Sequence, residues 1–218
     1  MGPEDIHKVI RILRKQVKTL KVPYVDYVAN LKKDPFHVLI SCILSLRTQD
    51  STTSGASERL FRLADTPERL CKLPVARIQK AIYPVGFYRV KAERIKEIAC
   101  QIVKKYKGHV PDNIEELLRL KGVGRKTANL VVARGYNKPA ICVDTHVHRI
   151  TNRWGYVKTR TPEQTEFVLR EKLPVKYWKD INGLLVAFGQ GICRPISPIC
   201  SKCLIYRYCD RVGVKKWR

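Results

Sequence analysis

Apolar residues along this chain recur at helical spacing, and neither a succession of alternating strands nor an Asn-Gly hairpin signal appears. Ile6, Val9, Ile10, Leu13 and Val17 stand three or four apart and predict an amphipathic N-terminal helix. Residues 36–46 are apolar on most sides, as expected of a helix at the centre of a helical domain. Thr66-Pro67-Glu68 predicts a helix start, because the threonine oxygen can accept an orphan amide and proline at the first helical position loses no bond. Ala92, Ile95, Ala99, Ile102 and Val103 mark one face of a longer helix from Tyr88 to Tyr106. Thr161-Pro162-Glu163-Gln164 has the Thr-x-x-Gln spacing of a capping box, and a further helix is predicted from about Lys176 to Gly189. No internal repeat, low-complexity segment or long linker divides the chain. The predicted class is all-α.

Composition narrows the setting. Of the 218 residues 44% are hydrophobic and 28% charged, which suits a folded protein and argues against global disorder. The longest near-apolar run, Phe36 to Leu46, contains two serines and falls short of the roughly 20 residues a membrane span needs. The start MGPEDIHKVI lacks the apolar core of a secretory signal and fails the myristoylation pattern at Ile6. An intracellular protein without a membrane partner is expected, in the cytoplasm or nucleoid if prokaryotic.

Charge changes the picture more. Lys and Arg number 43 against 19 Asp and Glu, a net charge of +24, and the cations recur from Lys8 to Arg218 rather than in a tail. Such a chain reads as the partner of a polyanion, and nucleic acid is favoured over a merely solvated basic surface. An anionic membrane is a poorer fit, since no basic stretch pairs with an exposed apolar stripe and a lipid anchor. Charge alone supplies affinity without specificity.

The eight cysteines fall into two groups. Cys42, Cys71, Cys100 and Cys142 are scattered through helical or apolar surroundings and read as small buried hydrophobes, with no disulfide framework expected. Cys193, Cys200, Cys203 and Cys209 form C-x6-C-x2-C-x5-C within 17 residues. Four thiolates this close can enclose one metal centre, either zinc or an iron–sulfur cluster. Only Cys200 and Cys203 make the short knuckle that zinc sites usually use twice, so the wider arms favour the cluster.

The most informative stretch runs from Ile114 to Ala128. Leu117, Leu118 and Leu120 end one helix, and Val123 can tuck between Gly122 and Gly124 in a tight turn. Ala128, Leu130, Val131 and Val132 then open the next helix. Such a helix–hairpin–helix presents backbone N–H groups where a phosphate can bind, and Arg125 could add charge there. Without a ligand it is simply a helical corner. Lys126 lies one turn inside the second helix; that positive end and Arg125 should disfavour its ammonium form, the direction an amine nucleophile needs. Position alone would equally suit a surface lysine or a phosphate contact. Asp144, in Val143-Asp144-Thr145-His146, precedes a helix carrying Val147, Ile150 and Trp154. It reads as an N-cap whose carboxylate can also face a cleft as a base. His146 and His148 lack a third nearby metal ligand and read as polar contacts or DNA-backbone donors.

Together the hairpin Leu120–Ala128, the Val143-Asp144-Thr-His segment 18 residues after Lys126, and the terminal cysteines resemble the endonuclease III family over nearly the whole chain. The resemblance implies a bifunctional DNA glycosylase and AP lyase that removes oxidised pyrimidines from duplex DNA. It implies a two-lobed helix–hairpin–helix glycosylase fold with a DNA-binding cleft between the lobes. A six-helix barrel would span 28–138, and a lobe of residues 1–27 and 139–218 would hold a [4Fe–4S] cluster on Cys193, Cys200, Cys203 and Cys209. Lys126 matches the family's nucleophile and Asp144 its catalytic aspartate. The implied partner is double-stranded DNA with damaged bases or abasic sites, approached by a monomer. Gly122, Gly124, Arg125 and His146 would contact DNA, and Arg194, on the loop between Cys193 and Cys200, would contact phosphate.

One departure stands out. Leu44-Ser45-Leu46-Arg47-Thr48-Gln49-Asp50 resembles the family motif that inserts a glutamine where a nucleotide has flipped out. Arg47 occupies the aligned position here, with Gln49 two residues later. Phe87 matches the family's apolar wedge, or is otherwise a core aromatic. A mismatch-directed glycosylase acting on T, U or A is the alternative enzyme, and Lys126 argues against it. The remaining alternative is a non-catalytic iron–sulfur or zinc protein that only grips DNA.

Overall fold

The computed structural model describes residues 2, 4–20 and 34–218, and every regular element among them is helical. The chain divides into two compact units, residues 1–23 with 141–218 and residues 24–140. The expected division at 27/28 lies outside the described residues.

In the 24–140 unit, α2 (Pro35–Ser45) is the central helix. Asp34 caps it, its carboxylate accepting from Phe36 N at 2.8 Å, and proline occupies the first turn. Phe36 through Leu44 are all buried, which explains the lack of a polar face. Around α2 pack α3 (Asp50–Leu63), α6 (Tyr88–Tyr106) and α8 (Arg125–Leu130), while α4 (Pro67–Lys72) and α5 (Val75–Ile82) pack on α6. Leu39, Leu60, Leu70, Ile78, Ile95, Ile102 and Leu117 are fully buried. Each such side chain stabilises the fold by about 1.5–3 kcal/mol before its entropy cost. Thr66 caps α4 as predicted, accepting from Arg69 N at 3.3 Å.

One expectation needs correction here. Cys71 and Cys100 are not separate apolar fillers; they form a disulfide that joins α4 to α6, with Cα atoms 4.8 Å apart. Their separation of 29 residues gave no local sign of pairing, because only helix packing brings them together. The second hairpin helix forms as expected, and its pitch changes along its length. After Leu130 it widens into a π segment, Val131–Gly135, with Tyr136 N donating to Val131 O at 3.2 Å.

The other unit combines α1 (Asp5–Gln16) with α9 (Thr145–Arg153), α10 (Pro162–Lys172) and α11 (Ile181–Gly191). Ile6, Val9, Ile10 and Leu13 enter a core with Val147, Ile150, Trp154, Leu169, Leu185, Phe188 and Ile205. Thr161 caps α10, although Gln164 closes the box on Arg160 N at 2.9 Å. The helix expected from Lys176 begins five residues late. Val175–Tyr177 instead forms a 3-10 turn, and the Trp178 indole donates to Leu173 O at 2.7 Å. No helix among the described residues is long and apolar enough to cross a membrane.

Candidate active site and nucleic-acid interface

The hairpin turn joins α7 (Ile114–Leu118) to α8. Asn113 caps α7, its side chain accepting from Glu116 N at 2.9 Å, and the buried Leu117, Leu120 and Val123 anchor the turn. Gly122 has φ +87°, where a side chain is strained, and an added Cβ would meet the Arg94 guanidinium at 2.1 Å. Gly124 differs, since a Cβ there would meet nothing within 4 Å. The turn therefore offers open backbone at the start of α8. Arg125 is half-buried and Lys126 exposed, whereas the following Thr127, Ala128, Asn129 and Leu130 are buried. That burial fixes the helix and points Lys126 away from the core.

A second group in the same unit gathers Arg47, Gln49 and Phe87. Arg47 and Gln49 are exposed in the turn between α2 and α3, and Phe87 is 64% exposed at the start of α6, so it is not a core aromatic. Gln49 stands immediately before α3, where its carbonyl accepts from Thr53 N at 3.0 Å. Arg47 and Phe87 both have left-handed backbones, φ 53° and 58°, and the Arg47 guanidinium sits 5.9 Å from the Phe87 ring. The Gly86 amide donates to Thr48 Oγ1 at 3.2 Å and so links the two turns.

Beneath them lies Lys91, which the sequence reading missed. Its ammonium donates to Leu44 O, Leu46 O and Thr48 Oγ1 at 2.8, 2.6 and 3.1 Å, and burial lowers its pKa to about 8. The signal was there: Lys91 sits four residues before Ile95 on the apolar face of α6, a costly place for a cation without a purpose.

In the other unit Asp144 is buried and caps α9. Its Oδ1 accepts from His146 N at 2.8 Å and Val147 N at 2.9 Å, which leaves Oδ2 as the oxygen available for chemistry. His146 is half-buried; its Nδ1 lies 3.2 Å from Arg149 Nη2, and it packs against Gly189 of α11. His148 contacts Thr165 Oγ1 at 2.7 Å, and burial lowers its pKa. Arg149 and Arg153, one turn apart on α9, reach the cysteine loop, donating to Cys193 O at 2.9 Å and to Arg194 O and Pro195 O at 2.6 Å. The Arg194 side chain is exposed.

Cys193, Cys200, Cys203 and Cys209 line one cavity with Trp154, Phe188 and Ile205. Arg153 Nη1 also lies 3.5 Å from Cys193 Sγ. Burial pushes the Cys203 thiol up to about 12 and raises Cys200 and Cys209. Among the described residues no three Cys, His, Asp or Glu side chains converge tightly enough to hold a single metal ion. The four thiols do share the lining of one apolar-walled cavity, and four thiolates are the donor set a polynuclear cluster takes, one for each metal atom.

This fold and hairpin define a helix–hairpin–helix protein, and residues 40–175 match the family model described as "HhH-GPD superfamily base excision DNA repair protein". Endonuclease III of Thermotoga maritima is 53% identical over 177 residues, covering 81% of this chain and 83% of that protein. Endonuclease III homolog 2 of Arabidopsis thaliana is 41% identical over 95% of this chain, which spans 58% of that longer protein. The structure of a trapped endonuclease III–DNA covalent intermediate superposes with a TM-score of 0.85 at 30% identity, covering 97% of each chain. A thermostable thymine-DNA glycosylase gives a TM-score of 0.77 at 26% identity, over 95% of this chain and 98% of that one. The chain belongs to the endonuclease III family.

Proposed function

We propose that this protein repairs DNA by base excision, removing oxidised pyrimidines from duplex DNA and cutting the abasic strand, with Lys126 as nucleophile and Asp144 as proton acceptor. The observation that carries the reading is an exposed Lys126 immediately behind an open Gly-Val-Gly turn, in a chain of this family. The turn's amides and Arg125 grip backbone phosphate. A base in a stacked duplex must be flipped out, at a cost of a few kcal/mol. The neutral amine of Lys126 then attacks C1′, and the glycosidic bond breaks with its electron pair leaving on the base. Asp144 takes up the nitrogen proton and offsets the positive charge that develops on the sugar. The nitrogen lone pair then expels the ring oxygen O4′, which takes up a proton, and the opened sugar is left as an iminium at C1′. Removal of a C2′ proton then expels the 3′ oxygen, and the strand breaks by β-elimination.

Cys193, Cys200, Cys203 and Cys209 would hold a [4Fe–4S] cluster, which when bound cross-links the 193–209 segment and needs no redox change in this reaction. Removing one ligand in Cys203→Ser should abolish visible absorption near 400 nm together with bound iron, at about four atoms per chain. A colourless wild type binding one zinc would replace the cluster with a zinc site.

The test is borohydride trapping on a duplex carrying one thymine glycol. Borohydride reduces the iminium to a stable amine, so wild type should form a covalent adduct and Lys126→Ala none. An adduct that survives in Lys126→Ala would assign the nucleophile elsewhere. Tight duplex binding with no adduct would favour the mismatch-directed or non-catalytic alternative.

A further inference from the structure

We propose that Lys91 is the positioning residue that presents Arg47 and Phe87 together to the duplex, by tying the Leu46–Gln49 turn to the Gly86–Phe87 turn. The inference rests on the glycosylase reading above. Lysine is almost never buried without a partner, yet Lys91 is 7% exposed and no carboxylate pairs with it among the described residues. Three oxygens surround it instead, one for each N–H of the ammonium. Two of them, Leu46 O and Thr48 Oγ1, flank Arg47 on either side. The third, Leu44 O, belongs to the last turn of α2, where a cation is favoured. Thr48 Oγ1 passes the link onward by accepting from Gly86 N. Gly86 allows the turns to touch, since a Cβ there would lie 2.9 Å from Arg47 O.

The two side chains held this way share three properties. Both are exposed, both sit on left-handed backbone that non-glycine residues rarely adopt, and they face each other as cation and ring. Strained backbone persists where its surroundings over-determine it, and here Lys91 supplies the constraint. A methionine would fill the same space without burying a charge, so packing alone does not explain the choice. An exposed phenylalanine beside an arginine suits a duplex, where an apolar wedge unstacks bases and a guanidinium donates to the base or phosphate left behind. Releasing the tether would let both turns relax, so the loss should fall on engagement of the duplex rather than on the amine chemistry.

The experiment uses a duplex with a tetrahydrofuran abasic analogue opposite 2-aminopurine, whose emission rises when it is unstacked. Wild type should raise the emission, with Arg47→Ala setting the floor. Lys91→Met should lose most of that rise and bind roughly tenfold more weakly, as expected from losing hydrogen bonds to a charged donor. On thymine glycol its half-saturating concentration should rise about as much, while the single-turnover rate at saturation stays within roughly threefold. Thr48→Val removes one acceptor and the Gly86 link without emptying a buried site, and should shift emission and binding the same way by a smaller factor. Wild-type emission and affinity in a folded Lys91→Met would overturn the proposal, as would a fall in saturated rate with unchanged half-saturation. If Lys91→Met does not fold, Thr48→Val decides alone, and wild-type emission there refutes the tether. A wild type that excises nothing instead sinks the glycosylase reading, so the two failures stay distinct.

Discussion

Replacing Cys71 and Cys100 together by alanine removes the single covalent cross-link among the described residues. The bridge closes a loop whose ends are 29 residues apart, from α4 across α5 into α6. In the chain-entropy treatment, closing a loop of that length withdraws about 12 cal/mol/K from the unfolded ensemble, or about 3.6 kcal/mol at 25 °C. Alanine also gives up some sulfur packing at two half-buried positions, a smaller loss of about 1 kcal/mol or less. At 2–4 °C per kcal/mol for a chain of this size, the melting temperature should fall by roughly 7–18 °C. Thermal or urea unfolding of the double variant checks this, beside wild type with and without dithiothreitol. Reduced wild type should approach the variant, and thiol titration of the denatured, unreduced wild type should find neither Cys71 nor Cys100 reactive. The reasoning is refuted if both residues titrate as free thiols, or if they are bonded and their removal leaves stability unchanged.

Gly122→Ala should cost about 1–3 kcal/mol because φ is +87° and Arg94 occupies the added methyl's space, whereas Gly124→Ala should stay within about 0.5 kcal/mol and mainly weaken duplex binding. Equal losses of melting temperature would contradict that division. Burial lowers the folded pKa of Lys91 from its ordinary 10.5 to about 8, so between those values the unfolded chain holds more protons and stability should rise with pH. Comparing wild type with Lys91→Met in urea melts at pH 7.5 and 10 isolates that rise, and identical slopes would remove Lys91 as its source. Asp144→Asn keeps a good N-cap while losing the carboxylate proposed as proton acceptor, so strand cleavage should disappear with stability within about 0.5 kcal/mol of wild type; Asp144→Ala should add a cap loss of about 1 kcal/mol. Full cleavage activity in Asp144→Asn would reduce that residue to a cap.

How far the sequence could be read depended on the range of the interaction concerned. Helix starts at Thr66, Asp144 and Thr161 were legible because the cap oxygen and the amides it accepts lie within three residues. The hairpin was legible for the same reason, since two glycines, a tucked valine and the flanking leucines make a complete local unit. Long-range polar contacts leave no such imprint. Arg149 and Arg153 meet carbonyls about forty residues away, and Cys71 meets Cys100 across packed helices. The late start of α11 belongs with them, because Lys176–Asp180 satisfies a helical pattern while Trp178 bonds back to Leu173 O.

Lys91 marks the boundary between these two kinds of information. Its position against the apolar face of α6 is visible in the spacing, but the meaning of that conflict lies in where the ammonium's three bonds end. A buried cation that bonded within a core would contribute only to stability, and a hydrophobic residue of equal volume would often serve as well. One whose bonds end on the residues to either side of an exposed, left-handed Arg47 instead uses desolvation to hold a surface shape. The same logic separates the two cysteine groups. A bridge between α4 and α6 only restricts the unfolded chain, whereas the hydrogen bonds of Arg149 and Arg153 to Cys193 O and Arg194 O tie the loop that follows Cys193 to the helix that Asp144 caps. Groups whose bonds end at exposed turns or loops are therefore the ones whose loss should show first in DNA handling rather than in folding.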